Sequence, residues 1–178
     1  MREVKTATLT YGDKTLELPV TVGSEGEVGI DVASLEKEAG LLCFDPGYGN
    51  TGSCLSSITF VDGEKGILRY RGIPIEQLAE KSSFIETAML LIFGKLPTAE
   101  ERTAFRSLLS EHELLHEGLL HHFDGFPPGG QPMAILSAVI NSLGNYHPEL
   151  LEIQTMDDFI LAVGKLVSKV RTIAAFSY

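Results

Sequence analysis

The spacing of apolar residues along the sequence changes near Gly72. Before this residue, β-branched and apolar residues tend to alternate with polar ones, a period of two that is typical of strands. After it, apolar residues recur every three or four positions, as they do in amphipathic helices. The sequence therefore predicts a mainly α protein, with a small N-terminal β-rich unit over residues 1–70 and helices over residues 71–178.

Two hairpins are predicted in the β-rich unit. Gly12-Asp13 and Asp62-Gly63 fit the tight turns that such hairpins require. The predicted strands are residues 6–11, 14–20, 58–61 and 67–70, with a further short strand at 30–32. A brief helix is expected from Ser34 to Gly40, and residues 44–57, rich in Gly, Ser, Asn and Thr, are expected to form an irregular loop.

Capping residues mark the starts of the predicted helices. Ser83 and Thr98 are each followed three positions later by Glu, the pattern of a capping box. The second box predicts a long helix through at least His116. Pro132 is expected to begin a helix over residues 133–143 whose small residues allow close contact with another helix. Thr155 is expected to cap a last helix that runs almost to the end of the sequence, so the chain is predicted to stop inside an element or at its edge.

Composition excludes some classes of function. Asp and Glu outnumber Lys and Arg by 24 to 14, which gives a formal net charge of −10. This charge repels phosphate backbones, so nucleic acid is not an expected partner. No apolar run approaches the ~20 residues that cross a bilayer, and the polar N-terminus does not resemble a signal peptide. No membrane association is therefore expected. The two cysteines are too few for a disulfide framework, so the chain is predicted to be cytoplasmic.

One short motif suggests a metal site. His112-Glu113-Leu114-Leu115-His116 matches H-E-x-x-H, which on a helix brings two imidazoles together to bind Zn²⁺ and leaves the Glu as a general base. A zinc hydrolase is therefore one alternative. The competing interpretation is an amphipathic helix in a His-rich segment with no metal, and bound zinc in a metal analysis would distinguish the two. We expect no metal here.

A much longer pattern resembles one enzyme family. It comprises residues 44–54 (FDPGYGNTGSC), 57–63 (SITFVDG), 66–79 (GILRYRGIPIEQLA), 82–86 (SSFIE), 90–91 (LL), 94–98 (GKLPT), 132–134 (PMA) and 171–178 (RTIAAFSY). These stretches, in this order, resemble citrate synthase, in particular the bacterial class with an added N-terminal β domain. The resemblance covers nearly the whole chain and concerns the N-terminal part of that family alone.

The resemblance implies the parent enzyme's chemistry. Citrate synthases, enzymes of the tricarboxylic acid cycle, condense oxaloacetate with acetyl-CoA to give citrate and CoA, using a catalytic Asp and His. By the resemblance those residues lie beyond Tyr178, so no catalytic residue is assigned here and this chain alone is expected to be inactive. The family also pairs subunits through helices near residues 133–143, which implies a homo-oligomer, a dimer or larger.

The class with the β domain is often inhibited by NADH. The resemblance places four possible nucleotide contacts at His112, Tyr146, Lys165 and Lys169. However, Glu111 stands where an NADH-sensitive member has Arg, and an acid there would repel a pyrophosphate. Solvated lysines are the competing interpretation, and no bound cofactor is expected. A non-catalytic interaction module on the same fold is the remaining alternative; a longer gene would favour the enzyme.

Overall fold

The computed structural model describes residues 5–178 and forms two compact units, one up to Ser57 and one from Ile58. The first four residues of the predicted 1–70 unit lie outside the described residues. The predicted division at residue 70 follows the change in periodicity. The second compact unit begins earlier, because the second hairpin packs with the helix that follows it.

The first unit is built on a three-stranded antiparallel sheet in the order β1 (Lys5–Tyr11), β2 (Lys14–Val22) and β3 (Val28–Ile30). Tyr11 pairs with Lys14, and Gly12 adopts a φ of +58°, so the predicted two-residue hairpin turn is present. The third strand lies two residues earlier than the sequence predicts.

A short helix covers one face of this sheet. Leu16 and Leu18 point to the same face of β2, since they are two residues apart, and both are buried with Leu35 of α1 (Leu35–Ala39). Gly40 ends α1 with a φ of +74°, a left-handed conformation that glycine adopts without strain. Residues 44–57 contain no regular element, as predicted.

The second unit opens with the hairpin of β4 (Thr59–Asp62) and β5 (Ile67–Tyr70), to which the short β6 (Ile73–Pro74) is added. The backbone amide of Arg71 donates to the carbonyl of Ile58 at 2.7 Å. Pro74 immediately precedes the first helix of this unit.

Six α-helices and one short 3₁₀-helix complete the described part of the unit. They are α2 (Ile75–Lys81), α3 (Phe84–Phe93), α4 (Ala99–Glu111), α5 (Glu117–Asp124), α6 (Pro132–Tyr146), the 3₁₀-helix Pro148–Leu150 and α7 (Met156–Phe176). Both predicted capping boxes form, and Thr155 makes a third with Asp158 at the start of α7. Among residues 5–178 no strand follows Pro74, which confirms the predicted change from strands to helices.

The core of the helical unit consists of Leu119 from α5, Val139 and Leu143 from α6, and Ile173 from α7, each at most 2% exposed. These helices therefore share one apolar interior, which fixes the ends of α5 and α6 beside α7. None of the helices formed by residues 5–178 combines the length and apolar character needed to cross a bilayer.

Candidate functional site

The sequence-predicted site residues fall in the helical unit, where the end of α4, the 3₁₀-helix and α7 pack together. His112 follows α4, Tyr146 ends α6, and Lys165 and Lys169 lie one turn apart on α7. Tyr146 also faces the start of α5. The contacts of each side chain decide what this region can do chemically.

The predicted long helix through His116 is wrong. Helix α4 ends at Glu111, His112 is its C-cap, and His116 is the N-cap of the separate helix α5. The two histidines therefore do not share one helical face, which the zinc motif requires. Within residues 5–178, no group of three or more His, Cys, Asp or Glu side chains is arranged to hold a metal ion.

Lys169 is one physical reason for the early end of α4. The residue is only 4% exposed, and its Nζ donates to the carbonyl of His112 at 3.0 Å and to that of Leu114 at 2.6 Å. Burial lowers the pKa of Lys169, because the ammonium loses hydration there, and the nearby Lys165 acts in the same direction. The two carbonyls compensate part of the cost of burying this charge.

Two other side chains of α7 bind neighbouring carbonyls. The Ser168 hydroxyl donates to the carbonyl of Leu109, and the Thr172 hydroxyl donates to that of Glu113 at 2.8 Å. Arg171 pairs with the Glu113 carboxylate at 2.7 Å on the exposed side. The α4–α5 connection is thus bound to α7 from His112 to Leu114.

Lys165 belongs to a second cluster. Its Nζ pairs with the Glu149 carboxylate, which also lies 3.2 Å from Nδ1 of His147. The hydrogen bond from Lys165 is the largest cause that lowers the pKa of Glu149, to about 2. Burial, and then the charge of Lys169, lower the pKa of His147.

Tyr146 contacts the histidines of the α5 region. Its hydroxyl lies 3.1 Å from Nε2 of His122, and its ring packs against the His116 ring with centroids 4.9 Å apart. His116 Nδ1 in turn accepts a hydrogen bond from the Gly118 amide at 3.0 Å, as an N-cap does. These imidazoles therefore serve local packing and capping.

Lys169 thus contacts the backbone carbonyl of His112. Lys165 pairs with the Glu149 carboxylate and does not point to an open surface. Sequence reasoning missed two contact residues. Glu149 contacts Lys165 of α7, 16 positions away, and Thr172 contacts Glu113 of the α4–α5 connection, 59 positions away. The sequence held one signal for the contact of Thr172 with Glu113. Ser168, Lys169 and Thr172 have helical spacing, which puts three donors on one side of α7.

An apolar cavity of about 340 Å³ lies beside α6 and α7. Its walls come from α6, from residues 150–153 and from the first half of α7, and Asn141 supplies its polar side chain. No predicted site residue lines it. It offers neither a base nor a nucleophile, so it has no chemistry of its own.

Comparisons with known proteins identify the family. The family model described as "Citrate synthase, C-terminal domain" matches residues 47–178. Citrate synthase 1 of Mycobacterium tuberculosis, in two strains, is 43% identical over 173 residues, which cover 97% of this chain. The chain spans 40% of the length of these curated relatives.

Solved structures agree with this result. Citrate synthase from Thermotoga maritima is 31% identical with a TM-score of 0.62, over 76% of this chain and 34% of its own. Citrate synthase from Pyrobaculum aerophilum is 25% identical with a TM-score of 0.62, over all of this chain and 40% of its own. Citrate synthase from Thermoplasma acidophilum, at 19% identity and a TM-score of 0.65 over 72% of this chain and 34% of its own, shares the fold. The chain belongs to the citrate synthase family.

Proposed function

We propose that this sequence is part of a citrate synthase that condenses oxaloacetate with acetyl-CoA to give citrate and CoA. The observation that carries the proposal is 43% identity to citrate synthase 1 of M. tuberculosis over 97% of the chain. The T. acidophilum structure is a ternary complex with carboxymethyl coenzyme A and oxaloacetate, which supports a CoA-type substrate for this family.

Within such an enzyme, residues 1–178 supply scaffold instead of reacting groups. Condensation needs a base at the acetyl methyl group and donors directed at the developing enolate, all in fixed geometry. Three of the histidines serve other purposes: His116 caps α5, His122 bonds Tyr146, and His147 lies against Glu149. The 178 residues alone are therefore expected to have no turnover.

The expected lack of turnover is tested by incubating the purified chain with oxaloacetate and acetyl-CoA and following the release of the CoA thiol. We expect release at the rate of buffer alone. Sustained release that disappears when a histidine such as His116 or His122 is replaced would place catalytic groups within this chain and contradict the proposal.

We further propose that His112, Tyr146, Lys165 and Lys169 stabilise the fold and do not hold a regulatory nucleotide. A dinucleotide phosphate would have to displace Glu149 from Lys165 and two carbonyls from a Lys169 that is 4% exposed. Titration of the chain with NADH, followed by nucleotide fluorescence, is expected to show no saturable binding. Saturable binding that is lost in the Lys165→Met variant would contradict this.

Two further features of the protein are proposed from its surface. The exposed side of α6, which carries Met133, Ala134, Ser137 and Ala138, is proposed to contact a second copy of the chain, because small residues allow helices to approach closely. A cytoplasmic location is proposed because Cys43 and Cys54 are exposed thiols that form no disulfide, the state expected in a reducing compartment.

A further inference from the structure

Residues 112–116 have a sequence that favours a helix but adopt another conformation. Neither Gly nor Pro occurs between Thr98 and Gly118, and His-Glu-Leu-Leu-His contains several good helix formers. The helix nonetheless stops at Glu111, and α5 starts only at Glu117. Local preference and observed conformation therefore disagree in this segment, so something outside it decides the conformation.

The carbonyl groups of the segment show what decides it. In a continued helix, the His112 carbonyl would accept from the His116 amide, and the Leu114 carbonyl would accept from the Gly118 amide. In the structure, Lys169 Nζ donates to both carbonyls instead, at 3.0 and 2.6 Å. The Gly118 amide donates to His116 Nδ1. A single buried side chain has replaced two main-chain donors.

The same replacement occurs at two neighbouring positions. The Glu113 carbonyl, which would accept from the Glu117 amide, accepts from Thr172 Oγ1 at 2.8 Å. The Leu109 carbonyl accepts a hydrogen bond from Ser168. Helix α7 thus satisfies the Leu109 carbonyl in the last turn of α4 and three carbonyls of the segment that follows. Its Lys169 also places a positive charge where the helix dipole favours one.

We propose that residues 112–116 have a second, helical conformation continuous with α4, and that Lys169 is the positioning residue that holds the segment in its non-helical conformation. Buried carbonyls require donors. When the ammonium is removed, the segment's own amides can supply donors if the segment becomes helical. Packing of Leu119, which is 1% exposed, opposes the change because α5 must shift to allow it.

The helical conformation has a specific signature. It places His112 and His116 one turn apart on one face, the arrangement that binds transition metals on a helix. In the observed conformation the two imidazoles belong to different elements. Zn²⁺ can therefore report which conformation is present, and it serves here as a probe alone.

The test compares the full chain with Lys169→Met, which keeps most of the length of the side chain and removes its donors, and with Lys169→Arg, which keeps donors. Amide hydrogen exchange at His116 and Glu117 and titration with ZnCl₂ are measured for each. We expect slower exchange at both amides and at least tenfold tighter Zn²⁺ binding in Lys169→Met, because apparent affinity scales with the population of the competent state. Lys169→Arg should behave like the original chain.

A second substitution identifies the ligand. In the Lys169→Met/His116→Asn double variant, Asn retains an N-cap acceptor for α5 but not the imidazole, so the gain in Zn²⁺ affinity should disappear. If Lys169→Met does not unfold cooperatively, the same two measurements are made on Thr172→Val. This substitution removes one hydrogen-bond donor to residues 112–116. A folded variant whose amide exchange and Zn²⁺ affinity match those of the original chain would overturn the proposal.

Discussion

Gly164 of α7 lies so close to Leu108 of α4 that a Cβ atom on Gly164 would be 2.5 Å from Cδ2 and 2.7 Å from Cγ of the leucine. Gly164 is buried, and the Ser168 and Lys169 contacts to the end of α4 follow one turn later on the same helix. The close approach of these two residues therefore positions the donors that define the α4–α5 connection.

Replacement of Gly164 by Ala is expected to destabilise the helical unit. Ala favours a helix over Gly by about 1 kcal/mol. The added methyl group, however, overlaps a packed leucine, and overpacking costs about 1–3 kcal/mol. Urea unfolding should show a net loss of stability of up to about 2 kcal/mol.

Gly144 of α6 provides the matched control. A Cβ atom there would meet Leu151 side-chain atoms at 3.2–3.4 Å, and Leu151 is 74% exposed and can move aside. Gly144→Ala should therefore leave stability unchanged or raise it. Equal effects of the two substitutions would show that helix preference, and not the contact with Leu108, controls the outcome.

The capping box of α7 predicts a cost for Thr155→Ala. The Thr155 hydroxyl accepts from the Asp158 amide at 3.1 Å, and Asp158 accepts from the Thr155 amide at 2.9 Å. Loss of an N-cap side chain costs about 1 kcal/mol. Thr103→Ala is the control, because that hydroxyl donates back to the Ala99 carbonyl within α4 and its removal should be neutral. Denaturant midpoints that shift equally for the two variants would contradict this assignment.

Glu149 predicts a dependence of stability on pH. Its pKa is lowered from 4.5 to about 2 in the folded state, chiefly by the hydrogen bond from Lys165. A carboxyl with a depressed pKa stabilises the fold above its ordinary pKa, and this contribution is lost as pH falls from 4.5 to about 2. Because the Glu149 side chain is 42% exposed, water screens the pair, and we expect no more than about 1 kcal/mol.

The measurement compares urea unfolding of the original chain and Glu149→Gln at pH 7, 4.5 and 3. The difference in stability should be largest at pH 7 and should shrink as the pH falls below 4.5. Glu152→Gln, at an exposed position nearby, controls for the change in net charge. A difference that grows on acidification would have the wrong sign and would exclude this role for Glu149.

The exposed side of α6 predicts self-association of the chain. Met133 is 73% exposed, and the small residue Ala138 lies on the exposed side too, while Val139 and Leu143 face the core. Sedimentation should show a dimer or a larger species that Ala138→Arg disrupts, since a charge at the contact would be buried without a partner. Ser107→Arg, on exposed α4 surface, should have no effect. A monomer at every concentration would contradict the proposal.

Much of the fold could be predicted from sequence because its signals are local. The Tyr11–Lys14 turn and the capping boxes at Ser83 and Thr98 each involve residues within a few positions of each other, and all three form. The periodicity that gave the order of strands and helices is local in the same way.

The end of α4 could not be predicted, because the groups that fix it are distant in sequence. Lys169 and Thr172 reach the connection from 55 to 59 residues away, and no local pattern indicates which carbonyls they contact. The zinc interpretation of His112 and His116 failed for that reason. The pairing of Lys165 with Glu149 was likewise missed, since it depends on how the 3₁₀-helix packs on α7.

A chimeric enzyme tests whether this chain is the scaffold part of a citrate synthase. In it, this chain replaces the 173 matching residues of citrate synthase 1 from M. tuberculosis, and CoA thiol release is measured with oxaloacetate and acetyl-CoA. If the chain is the scaffold part of a citrate synthase, the chimera should catalyse sustained release that requires both substrates. A chimera that unfolds cooperatively but releases no thiol would contradict this role for the chain.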